Sequence, residues 1–193
     1  MTANPIIIGA TPNRPPSPQA RDHARMGTPA DRILQGDCTH VMATLAAGSV
    51  DFILTDPPYI THYRDRSGRT VANDNHAEWL VPAFAQMHRV LKPSAFCVSF
   101  YGWNKVDLFM AAWRAAGFRP VGHIVFRKHY ASKTGFLRAE HEAAYLLAKG
   151  EAQHPAEPIG DVLDWRYTGN LLHPTQKPVE PLRRLATREG GRP

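Results

Sequence analysis

Cysteine is scarce in this 193-residue chain, and membrane-length apolar runs and glycine-rich phosphate loops are missing; each shortage removes a class of protein. The two cysteines, Cys38 and Cys97, are too few for a disulfide framework and too far apart for a CxxC metal or redox pair, so a reducing compartment fits best. The apolar stretches fall well short of a bilayer span. No basic-then-apolar signal region precedes the N-terminal prolines, and the expectation is a soluble cytoplasmic protein with no membrane partner. There is no Gly-x-Ser-x-Gly elbow and no Walker lysine loop. His141-Glu142 opens a zinc-protease pattern that fails at Tyr145, where the second histidine would stand, so no metal is expected.

What is present is ordinary globular material: 43% apolar and 21% charged residues, enough for one buried core. Lys plus Arg exceed Asp plus Glu by 23 to 17, a formal +6 that favours an anionic partner. Residues 1–30 hold six of the 17 prolines and read as a flexible leader, with one folded domain over 31–193. Strands are expected at 32–35, 50–55, 95–100, 118–126 and 142–148. Helices are expected at about 39–46, from an Asp74 or Asn75 cap through Leu91, over the stripe Val106, Phe109, Trp113 and Ala116, and from Pro178. Residues 150–166 read as a surface loop. The alternation predicts a largely parallel α/β sheet.

Asp56-Pro57-Pro58-Tyr59 stands at the carboxyl end of a strand apolar on both faces, the edge at which open α/β sheets bind ligands. These residue types suit methyl transfer to an exocyclic base amine, whose lone pair is delocalised into the ring. Acceptors on its two N–H groups favour the tetrahedral geometry the reaction needs. The Asp56 carboxylate supplies one, and the carbonyl of Pro57, held by two locked φ angles, supplies the other. Tyr59 offers a face on which a flipped base can stack. By itself the tetrapeptide also reads as a strand end with a rigid turn.

A second segment, His173-Pro174-Thr175-Gln176-Lys177-Pro178, followed by Val179-Glu180-Pro181-Leu182, changes the balance. Together the two segments resemble the DNA amino-methyltransferases of the permuted beta arrangement, which methylate adenine N6 or cytosine N4; the resemblance covers roughly residues 32–185. It implies a Rossmann-like S-adenosylmethionine-dependent methyltransferase sheet, circularly permuted. Catalysis is then expected at Asp56, Pro57, Pro58 and Tyr59. Cofactor contacts are expected from Asp37 and Cys38 on the adenine side, and from Asp56, His173, Pro174, Thr175, Gln176, Lys177 and Pro178 on the methionine and ribose side. The partner implied is double-stranded DNA, contacted by the basic Arg64, Arg66, Arg69, Arg127, Lys128, Lys133 and Arg138, with target recognition confined to short segments within 127–170. Association as a homodimer is left open.

The family's pattern continues, after the His-Pro-Thr-Gln-Lys-Pro stretch, into a strand ending in an Asp-Pro-Phe-x-Gly-x-Gly loop that approaches the cofactor. None of the 14 glycines here forms a Gly-x-Gly pair, and Ala186 to Pro193 contain no large apolar residue. The expectation is a chain lacking the strands that follow residue 185, with Leu182 and Leu185 left without a sheet to cover and cofactor affinity much reduced. The functional expectation is a site-specific adenine-N6 DNA methyltransferase whose 193-residue chain is itself inactive without the glycine loop, with the existence of a restriction partner left open. The alternatives are cytosine-N4 methylation and a non-catalytic DNA-binding remnant, which the basic 127–138 segment, interleaved with His129, Tyr130 and Phe136, would serve.

Overall fold

The computed structural model describes residues 6–8, 32–64, 68–132, 134–169 and 176–189. Two short strands, β1 (Ile6–Ile8) and β2 (Arg32–Leu34), pair antiparallel, so part of the expected leader joins the first ordered segment. Asp37 then caps α1 (Cys38–Ala43), accepting from Thr39 N at 2.9 Å and His40 N at 3.3 Å. The strand β3 (Val50–Thr55) follows, and the chain reaches α2 (Leu80–Val90) only after a long loop. Asp74 does not cap that helix, as the sequence suggested. Its carboxylate is buried and accepts from Thr61 N, Thr61 Oγ1 and Tyr63 N, while α2 begins at Leu80 without a side-chain cap.

Leu80, Ala83, Phe84, Met87 and Val90 form the buried stripe of α2, which passes directly into β4 (Leu91–Phe100). The pairing of β3 with β4 is irregular between Val50 and Phe52, next to Pro93, which has no N–H for the ladder, and Ser94, whose φ is 60°. A short 3₁₀ turn (Trp103–Lys105) leads into α3 (Val106–Ala115), and Gly117 closes the helix at φ 93°. Then come β5 (Phe118–Lys128), β6 (His141–Lys149), β7 (Val162–Trp165) and α4 (Val179–Glu189).

The main sheet has the order β3-β4-β6-β5-β7. It is mixed: β3 with β4 and β5 with β7 are parallel, whereas β6 is antiparallel to both its neighbours. The departure from a largely parallel sheet has a simple cause. No helix separates β5 from β6, and a strand pair joined without a crossover runs antiparallel.

Both faces are covered. Cys97 packs with Met42, Phe84, Phe109 and Trp113 under α1, α2 and α3, while the next residue, Val98, packs with Phe126, Leu163, Trp165 and Leu185 on the face of α4. The sequence expectation that Leu182 and Leu185 cover nothing is corrected here: Leu185 is 1% exposed and Leu182 is half-buried against the same cluster. The strand β7 was hidden in an expected loop. Its four residues alternate outward and inward, which places Leu163 and Trp165 in the core.

Candidate active site

The site begins where β3 ends. Pro57 is buried and anchors the turn, while Asp56 is exposed at the sheet edge. Oδ1 of Asp56 accepts from the Tyr59 hydroxyl at 3.0 Å and lies 2.9 Å from the ammonium of Lys177. The Lys177 Nζ also donates to Tyr59 Oη at 3.3 Å. Two residues 118 positions apart in sequence therefore meet on one carboxylate oxygen. The side chain of Lys177 is 14% exposed, and its ammonium lies 4.5 Å from the Phe100 ring centroid, 5.5 Å from that of Tyr59 and 5.7 Å from that of Trp165. Burial, reinforced by the negative charges of Asp56 and Glu142, pushes the Tyr59 hydroxyl well above the usual tyrosine range, so it serves as a donor.

The loop beyond Tyr59 is held in an uncommon conformation. Ile60 and His62 have φ of 59° and 54°, a left-handed region that a β-branched residue such as isoleucine rarely enters. The buried Asp74 fixes this segment through its bonds to Thr61 and Tyr63, and its carbonyl accepts from His62 N at 3.1 Å. On the other side, Gly102 lies so close that a Cβ there would be 2.5 Å from the Tyr59 carbonyl oxygen. Only glycine lets the segment after β4 approach the turn from Asp56 to Tyr59 in this way.

Asp37 and Cys38 lie apart from this network. Cys38 packs on the cluster beneath α1, whereas Tyr59 packs on the opposite cluster with Phe100 and Trp165. The Thr39 hydroxyl on Asp37, with the backbone N–H groups of the cap, holds its carboxyl below the usual range; those bonds all fall on Oδ1. Burial and the Asp37 charge raise the Cys38 thiol, which stays protonated. Of the second expected segment, Lys177 reaches Asp56 and Tyr59, Gln176 and the buried Pro178 flank it, and His173, Pro174 and Thr175 lie outside the described residues.

The basic residues divide. Arg64 is exposed and bridges to Thr70, Arg69 is exposed, and Arg66 and Lys133 lie outside the described residues. Arg127 pairs with Asp164 at 3.0 Å and Arg138 with Glu140 at 2.8 Å, both pairs well exposed. Lys128 is corrected: it is 6% exposed, pairs with Glu142 and sits 5.7 Å from the Trp165 ring centroid. Counting inward from Ile124 and Phe126, position 128 falls on the buried face of β5, so its ammonium is not presented to a phosphate. Sequence reasoning also missed Phe100, Trp165 and Glu142. The alternation in Val162-Leu163-Asp164-Trp165 was the available signal for Trp165; for the other two, nothing in the sequence marks proximity to Asp56.

Comparison with known proteins identifies the family and the fold. The sequence model of a DNA methylase family, of the N6/N4 type, matches residues 50–187. YubD of Escherichia coli (strain K12), whose name calls it a methylase, is 58% identical over 154 residues, spanning 80% of this chain and 68% of YubD. The DNA adenine methyltransferase YhdJ of the same organism is 27% identical over 202 residues, covering 83% of this chain and 68% of its own. Among solved structures, a DNA modification methylase from Thermus thermophilus in complex with S-adenosyl-L-methionine superposes with a TM-score of 0.58 at 19% identity, over 81% of this chain and 72% of the other. The cytosine-N4-specific PvuII DNA methyltransferase gives 0.61 at 12% identity, over 82% and 69%. The mixed sheet with its flanking helices is thus a methyltransferase fold, and this chain belongs to the S-adenosylmethionine-dependent DNA methylase family of the N6/N4 type.

Proposed function

We propose that the protein is a site-specific methyltransferase that modifies adenine N6 in double-stranded DNA in the cytoplasm. The observation that carries this reading is the loading of Asp56. Lys177 and Tyr59 both bind Oδ1, which orients the carboxylate and leaves Oδ2 as the acceptor for one N–H of the target amine. The Pro57 carbonyl takes the second N–H, and the nitrogen lone pair is freed from the ring to attack. As the nitrogen gains its methyl group, Asp56 Oδ2 holds the amine proton, which is then released to water. Tyr59 supplies the stacking surface for the flipped base. Pro58 completes the rigid turn that spaces Tyr59 from Asp56.

The residues present fit S-adenosylmethionine: the bonds of the helix cap all fall on Asp37 Oδ1, which leaves Oδ2 to accept from that group's hydroxyls, and the exposed Asp56 carboxylate suits a cationic ligand. That group, when bound, supplies a methyl on positively charged sulfur. Asp37 and Cys38 would meet its adenine side, and Asp56 with residues 173–178 the remainder, while Lys177 acts chiefly by positioning Asp56. Arg64, Arg66, Arg69, Arg127, Lys133 and Arg138 are the candidate phosphate contacts.

The adenine reading draws support from the similarity to YhdJ, and the cytosine-N4 reading from the fold shared with the PvuII enzyme. Incubation of the protein with DNA and methyl-labelled cofactor, followed by digestion to nucleosides, separates them. Label in N6-methyladenine supports the proposal. Label in N4-methylcytosine, or none, overturns it.

A further inference from the structure

The loop between β5 and β6 ends in two consecutive apolar side chains that none of the described residues covers: Phe136 is fully exposed and Leu137 is 85% exposed. A large apolar pair at a loop tip is unfavourable in water and calls for an occupant. The loop is nevertheless built as a hairpin. Lys128 N donates to Glu140 O at 2.7 Å, Ser132 N to Ala139 O at 2.9 Å and Gly135 N to Leu137 O at 3.1 Å, with Thr134 bridging Arg138. At its foot, the buried Lys128 ammonium donates to Ser132 Oγ at 3.2 Å as well as pairing with Glu142.

Its place in the sheet is informative. Because β6 runs antiparallel to both β4 and β5, the carboxyl ends of β3, β4 and β5 share one edge, and Asp56 stands on it. Thr55 is level with Ser99, Tyr145 and His123, and β5 continues five residues past that level to Lys128, about 16 Å at the usual strand rise. The hairpin therefore rises above the catalytic edge. Trp165 joins the two places, since the Lys177 and Lys128 ammonium groups each lie 5.7 Å from its ring centroid.

We infer that Phe136 and Leu137 are a wedge for duplex DNA, entering the base stack at the gap left when the target base turns toward Tyr59. The inference rests on the reading that Asp56 acts on a base of duplex DNA. Two side chains offer too little area for a stable protein interface, but they match the small apolar inserts that unstack base steps, with the exposed Arg138, which pairs with Glu140, beside them to turn to a phosphate.

Fluorescence anisotropy with three probes tests this: an intact duplex, the same duplex with one central abasic position, and its single strand. An abasic position is a ready-made gap, so the unsubstituted protein is expected to prefer that duplex over the intact one by roughly tenfold or more. The Phe136→Ala, Leu137→Ala double variant is expected to lose that preference while its single-strand affinity stays within about twofold, and Phe136→Trp to keep it. A preference that survives the double substitution, or is absent from the unsubstituted protein, overturns the wedge and leaves the methyltransferase reading standing. No binding to either duplex overturns both.

Discussion

Replacing Lys177 with methionine isolates what the ammonium does for Asp56, because the new side chain keeps an apolar stem against Phe100 and removes the charge. A hydrogen bond to a charged group contributes about 1.5–3 kcal/mol when shielded. Asp56 is 45% exposed, so water replaces part of that interaction and the pair is worth about 1 kcal/mol. The cation over Phe100 adds roughly 0.5–1 kcal/mol. Lys177→Met should therefore lower stability in urea by about 1–2 kcal/mol in total, with a coupling to Asp56→Asn of about 1 kcal/mol in a double-mutant cycle.

The effect on catalysis should be separable. A carboxylate no longer held by its second donor loses its aim at the target amine, and kcat should fall about tenfold with the KM for cofactor little changed, since the lost interaction acts in the transition state. Lys177→Arg should recover part of kcat. A rise in cofactor KM at constant kcat would instead place Lys177 on the cofactor, and no change in kcat together with zero coupling would refute the positioning argument.

Asp56→Ala should abolish methyl transfer to DNA while leaving DNA affinity by anisotropy nearly intact; retention of most activity would remove Asp56 from the mechanism. The Tyr59 hydroxyl is held above the usual tyrosine range, so the folded protein keeps a proton that the unfolded chain gives up near pH 10. Stability from this group is thus present below that pH and lost above it, and Tyr59→Phe should flatten the alkaline fall in urea stability; an identical fall in both proteins would contradict the buried hydroxyl. Leu185→Ala should cost about 2–4 kcal/mol in urea, because its side chain is 1% exposed on the sheet; a loss under about 0.5 kcal/mol would mean that α4 does not pack there.

Much of this protein was legible in its sequence because the signals were local. An apolar run interrupted only by Asp51 announced β3, spacing of three and four announced the inner faces of α2 and α3, and the placement of Asp56 to Tyr59 at a strand end marked the candidate site. Misread features depended on distant partners. Asp74 has the residue type of a helix cap, but the amides of Thr61 and Tyr63 are what it meets. Lys128 looks like one of a row of basic residues, and only the inward register of β5 with Glu142 opposite makes it part of the core.

Residue order alone was enough for the family and the methyl donor, and it singled out the turn from Asp56 to Tyr59 as the candidate site, since motif identity and spacing survive without coordinates. Which groups surround Asp56 was settled only by folding. Lys177, Tyr59, Phe100 and Trp165 come from four separate stretches of chain, and their convergence depends on sheet order, antiparallel insertion of β6 and the seating of α4. Local propensity carries no information about such contacts, because they are fixed by which apolar faces bury against each other once the whole chain has folded.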